Sequence, residues 1–107
     1  MNPRRVHELM AAHFPHADLA TLNWVNVLEA DGTIRWETLD RLIDEFIHTD
    51  GILVEINRKL GDLKARDRVI PYVQEHVGQG QIKIADRDFR GYVLIAMNGV
   101  AAGWSST

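Results

Sequence analysis

The sequence predicts an α+β fold, with four or five N-terminal helices followed by a C-terminal three-stranded antiparallel β-meander. Three observations carry that expectation. Apolar residues recur at helical spacing as far as Val77, the period changes to alternation after Gly78-Gln79-Gly80, and Asn98-Gly99 separates two alternating runs as a hairpin turn would. With 107 residues, no cysteine and no linker-like or low-complexity stretch, the chain reads as a single domain spanning 1–107.

The first helix is announced by Asn2-Pro3, a capping side chain followed by proline at a position whose missing N–H costs nothing. Val6, Leu9, Met10 and Phe14 follow at helical spacing, and Pro15 ends the run. Asp18 can cap a second helix with Leu19, Leu22, Val25 and Leu28 inward. The run Trp24-Val25-Asn26-Val27 suits a strand equally well, in a hairpin from Trp24 to Trp36 around Asp31-Gly32. From Trp36 the pattern sharpens, because Leu39, Leu42, Ile43, Phe46 and Ile47 form one apolar stripe. After His48-Thr49-Asp50-Gly51 a further helix is expected, capped by Asp50, striped by Leu53, Ile56 and Leu60, and stopped by Gly61. The β-branched content of 52–56 pulls against it. Another helix begins at Asp62 or Asp67, buries Val69, Ile70, Val73 and Val77, and must hold Pro71 in its first turn or bend there. The meander is expected from strands at 81–85, at 91–97 and after Gly99. A two-residue turn then places Val93, Ile95, Met97, Val100, Ala102 and Trp104 on one face, with positive φ at both Asn98 and Gly99.

Charge narrows function more than motifs do. The net charge is −3, yet the chain up to Asn57 holds four basic and ten acidic residues, a balance of −6. The remainder holds eight basic and five acidic, a balance of +3. Absence of cysteine excludes thiol nucleophiles, thiolate zinc sites and iron–sulfur clusters. No apolar run is long enough for a membrane span, and the charged first residues are unlike a signal peptide, so a cytoplasmic protein with no membrane partner is expected. Asp31-Gly32-Thr33-Ile34 resembles the middle of an EF-hand calcium loop, but the positions of its first and last ligands fall on Val27 and Thr38. His13 and His16 lack the further ligands zinc needs. No metal and no cofactor is expected. Ser105 and Ser106 lie in no nucleophile elbow, and Asp86 and Asp88 suit a turn, so no catalytic residue is assigned.

Two binding functions remain. Glu37, Asp40, Asp44, Glu45, Asp50 and Glu55 lie on or just beyond the polar side of the Trp36 helix, and Asp40 and Asp44, like charges four apart, weaken that helix unless something offsets them. Local pairing of Glu37 and Glu45 with Arg41, and of Asp44 with His48, would leave this a solvated face. The leading expectation is that these acids bind a protein partner such as a cationic nuclease-type toxin, since proteins that grip phosphates are basic and acidic inhibitors are steered onto them. Short, acidic, cysteine-free chains are similar in class to immunity proteins and antitoxins. The alternative starts from segment 58–90, where a helix ending at Leu60-Gly61, a basic helix and a hairpin resemble the order of a winged-helix DNA-binding domain. That resemblance covers residues 36–104 and implies nucleic-acid contacts from Lys64, Arg66 and Arg68 in the groove and from Lys83, Arg87 and Arg90 in the wing.

Overall fold

The computed structural model describes residues 1–16 and 18–106. Its described residues form three α-helices and one six-stranded antiparallel sheet, an α+β architecture but not the predicted run of helices before a meander. The helices are α1 (Pro3–His13), α2 (Trp36–Phe46) and α3 (Val69–His76). The strands are β1 (Val25–Asn26), β2 (Gly51–Asn57), β3 (Leu60–Ala65), β4 (Ile82–Asp86), β5 (Gly91–Ile95) and β6 (Val100–Ser105), arranged β1-β6-β5-β4-β2-β3. Helices cover both faces. α1 lies over β2 and β3 on one side, and on the other α2 lies over β5 and β6 while α3 lies over β2.

Three of the expected helices exist, each for the reason its local sequence supplies. Asn2 accepts a hydrogen bond from the Arg5 N–H at 2.8 Å and Pro3 occupies the first turn of α1, which buries Val6 and Met10. In α2, Leu39 and Ile43 are buried, with Ile47 just beyond the helix. In α3, Pro71 sits in the first turn, where no hydrogen bond is lost, and Val69, Ile70 and Val73 face inward.

The expected helix over 50–61 does not exist. Those residues form the β2–β3 hairpin, in which the Asn57 carboxamide accepts from the Lys59 and Leu60 N–H groups to make the turn. β2 is hydrogen-bonded on both edges and packed on both faces, so Ile52, Val54 and Ile56 enter the larger core while Leu53 enters the smaller one. A strand buried on both sides has no polar alternation, and Leu53, Ile56 and Leu60 imitate a helical stripe by coincidence. Gly61 is not a helix stop. A Cβ there would lie 3.1 Å from Val6 Cγ1, so the glycine admits α1 against the strand.

The segment 18–36 follows the hairpin alternative. Asp18 caps only a single 3₁₀ turn (Leu19–Thr21), and the side chain of Leu19 lies outside the described residues. Leu28 and Ile34 then bridge around Asp31-Gly32, with Gly32 at φ 88°. Gln74 of α3 holds this turn through the Ile34 N–H at 2.7 Å and the Gly32 carbonyl at 3.1 Å.

The meander strands exist, but inside the larger sheet and in another register. Ala96 N–H bonds the Val100 carbonyl at 2.8 Å, so the β5–β6 loop is Met97-Asn98-Gly99, three residues rather than two. Positive φ is confined to Gly99 at 90°, as in a type I turn closed by a glycine bulge. Tyr92 therefore opposes Trp104 and Leu94 opposes Ala102. One residue of slip exchanges the faces: Ala102 and Trp104 join the α1 side, Val93 and Ile95 stay with α2 and α3, and Met97 is 68% exposed.

Candidate functional site: an acidic groove beside Trp36

α2 presents its polar side toward the chain leaving β3. Arg66, in the 3₁₀ turn Arg66–Arg68 that precedes α3, reaches across to it. Arg66 Nη2 donates to Asp40 Oδ1 at 2.7 Å, to Asp44 Oδ1 at 2.9 Å and to the Asp40 carbonyl at 3.1 Å, while Nε donates to Asp44 Oδ1 at 3.3 Å. This is what offsets the repulsion between the two aspartates, and it clamps α2 to the start of α3. Burial alone would lower the Arg66 guanidinium, but the bonds and charges of Asp44 and Asp40 outweigh it and hold the group above its ordinary value.

Beside this clamp lies a groove of about 530 Å³. Ala65 and Ile70 supply its apolar lining, Trp36 stands at it with 57% of its surface exposed, and Asp40, Asp44, Asp50, Arg66 and Asp67 complete it. Four carboxylates face one guanidinium. Among the described residues Asp50 and Asp67 form no ion pair, so their lone pairs are open to an incoming cation, and the Trp36 ring offers a face on which such a cation can stack. Four of the eight lining residues are aspartates, so hydrogen-bond acceptors dominate its polar surface.

The acidic residues expected to act together divide. Asp40, Asp44 and Asp50 line the groove, and Glu37 and Glu45 are exposed elsewhere on α2, without ion pairs among the described residues. The local pairs with Arg41 and His48 that would have left this a solvated face do not form among the described residues, and Asp44 is held by Arg66 instead. Glu55 lies on the opposite face of the sheet, 7% exposed, with Oε2 at 2.7 Å from His7 Nδ1.

The basic residues are more dispersed. Lys64 pairs with Asp62 at 3.3 Å and lies 4.6 Å above the Tyr72 ring, Arg66 is committed to α2, and Arg68 is exposed beyond it. Lys83 belongs to the α1 face, and Arg87 and Arg90 are exposed in the β4–β5 turn. The resemblance to a winged helix fails on topology. The expected helix ending at Gly61 is a hairpin, and the expected wing, β4–β5, lies mid-sheet with both strands bonded on both edges.

Trp36, Asp67, Ala65 and Ile70 were not legible as site residues. They meet only because β3 returns the chain to α2, and nothing local to 36 or 67 signals it. The one available hint was the unfavourable Asp40–Asp44 spacing, which called for a cation from elsewhere.

Asp31 acts within its own turn, accepting from the Thr33 N–H at 2.9 Å, a bond that lowers its pKa. Among the described residues no three His, Asp or Glu side chains converge as a metal would require. No described helix is long and apolar enough to cross a membrane. No protein-family model, curated protein or solved structure matches the chain.

Proposed function

We propose that this chain is a non-catalytic binding protein whose acidic groove takes a cationic surface of a protein partner, in the manner of an immunity protein or antitoxin neutralising a nuclease-type toxin. One observation carries this reading: an exposed tryptophan stands at a groove in which Asp50 and Asp67 have no ion-pair partner among the described residues. Buried aromatic anchors dominate binding energy at protein interfaces, and unpaired carboxylates around one select a basic partner and accelerate its approach. A lysine or arginine of the partner would stack on Trp36 while its charge meets Asp50 and Asp67. Asp40 and Asp44 contribute field, but their oxygens already serve Arg66.

DNA binding through Lys64, Arg66, Arg68, Lys83, Arg87 and Arg90 draws less support, because Arg66 is neutralised and the others lie on different sides of the sheet.

The test immobilises wild-type chain and the variants Trp36→Ala and Asp50→Asn with Asp67→Asn, captures proteins from the source lysate, and measures association of the purified captive against salt. The expected captive is basic, binds Trp36→Ala roughly tenfold or more weakly, and loses on-rate with salt far less steeply when both aspartates are neutralised. A captive that binds all three chains alike, with the same salt dependence, overturns the reading. So does a wild-type chain that retains only duplex DNA.

A further inference from the structure

The opposite face of the sheet carries a second cavity, of about 200 Å³, between the end of α1 and strands β4 to β6. Its walls are Phe14, Leu94 and Trp104, with Lys83, Gln81 and His16 supplying polar atoms. We propose that this cavity is a binding site for a small aromatic carboxylate, with the carboxylate on Lys83 and the ring packed against the aromatic wall that Phe14 and Trp104 form together.

The charge of the site is set by what Lys83 lacks. Its directly opposed neighbour across the ladder is Glu55, which would be expected to take the ammonium. Glu55 is instead bonded to His7 of α1 at 2.7 Å. Among the described residues Lys83 forms no ion pair, and its Nζ rests 5.4 Å from the Phe14 ring centre. A half-buried ammonium held only by a ring face is attracted to any anion that reaches it, more strongly than a fully hydrated lysine would be.

The rest of the ligand is set by shape. Phe14 and Trp104 meet edge to face at 5.6 Å and Trp104 is inclined to Tyr92 at 5.5 Å, so the cavity opens onto aromatic surface on which another ring can pack at the usual spacing. An apolar cavity of about 150 Å³ holds a benzene ring, so the volume here suits one ring with a short acidic arm. Gln81 and His16 line the same cavity and add a carboxamide and an imidazole, groups whose N–H can donate to an anion. The site is distinct from the acidic groove, which favours cations and lies across the sheet from it.

The test titrates ¹⁵N-labelled full chain with phenylacetate and, separately, with benzylamine, benzyl alcohol and acetate, following amide shifts. Phenylacetate is expected to give saturable shifts confined to residues 14, 16, 81–83, 94 and 104, with a Kd on the order of 1 mM or tighter for a ligand of this size. Benzylamine should leave these positions unmoved. Benzyl alcohol and acetate, each with half of the recognised chemistry, should bind at least roughly tenfold more weakly, and Lys83→Met should weaken phenylacetate by a similar factor. Lys83→Gln serves if the methionine variant does not fold. The proposal is overturned if phenylacetate shifts do not saturate, if acetate binds equally well, if benzylamine moves the same amides, or if the folded Lys83 variant binds as wild type.

Discussion

The two faces of the sheet are stabilised in different ways. Against α2 and α3 the packing is almost wholly aliphatic: Leu39, Ile43, Ile52, Val54, Val69, Val73, Ile84, Val93 and Ile95 are buried there. The close approach of α2 depends on glycine, because a Cβ on Gly91 would lie 1.6 Å from the Phe46 carbonyl oxygen and one on Gly103 would lie 2.1 Å from its ring. Against α1 the core is smaller, with Val6, Met10, Leu53, Ala85 and Tyr92 buried and Phe14, Phe89 and Trp104 packed around them. Polar bonds finish this face: His7 meets Glu55, the Tyr92 hydroxyl donates to the Phe89 carbonyl, and Ser106 Oγ donates to Tyr92 at 2.8 Å. A close-packed aliphatic face tolerates added volume poorly, so the approach of α2 rests on those two glycines. The small cavity lies beside the rings of the second face, and the acidic groove lies at the rim of the first.

Glycine replacement separates the faces most strongly. Gly91→Ala should destabilise by more than about 4 kcal/mol or prevent folding, since its neighbour is backbone and cannot rotate away. Gly61→Ala, on the α1 face, meets Val54 O and Val6 Cγ1 at 3.1 Å and should cost only about 1–2 kcal/mol. Urea unfolding of the two variants checks the order, and equal losses would break the comparison.

Cavity formation comes next. Ile43→Ala, in the centre of the aliphatic layer, should cost about 3–4 kcal/mol, and Met10→Ala under α1 about 2–3, because the aromatic face can relax into part of the space. A larger loss for Met10 would show that the α1 face is packed as tightly as the other.

The buried carboxylate gives a sharper test of the α1 face. His7→Ala leaves Glu55 without its hydrogen-bond partner and should cost about 1–3 kcal/mol by denaturant titration. Adding Glu55→Met should recover much of that loss, and a double variant no more stable than His7→Ala would mean that α1 docks by packing alone.

At the groove, Arg66→Ala should cost about 1 kcal/mol, the discount reflecting that Asp44 remains largely exposed while paired. The smallest effect belongs to Asp62. Burial would raise its carboxyl, but the Leu63 N–H, the amino terminus and Lys64 hold it below its ordinary 3.8. A carboxyl held low by the folded state adds stability that is complete above that value and drains away as pH falls through it. Asp62→Asn should therefore lower stability near neutrality by roughly a few tenths of a kcal/mol, and the difference from wild type should shrink as pH falls below 3.8.

How far these features were legible follows from how local their causes are. The caps and stripes of α1 and α2, the proline in the first turn of α3 and the turn at Gly32 each rest on side chains within a few residues, and each was readable. Among the site residues, Asp40 and Asp44 were readable as an anomaly of helix spacing, whereas the place of Glu55 on the other face of the sheet was not, because the β-branched run of β2 carries a helix-like stripe.

Sequence alone therefore determined an α+β chain with two amphipathic helices, a split of charge and a set of turns, because capping, periodicity and glycine conformations act over a single turn of chain. The rest waited for packing. β2 hides its strand character because helices cover it on both sides, and the β5–β6 register turns on one residue of loop that Asn98-Gly99 permits in either length. The groove exists because β3 carries Arg66 and Asp67 back to α2, a contact across more than twenty residues that no local pattern encodes.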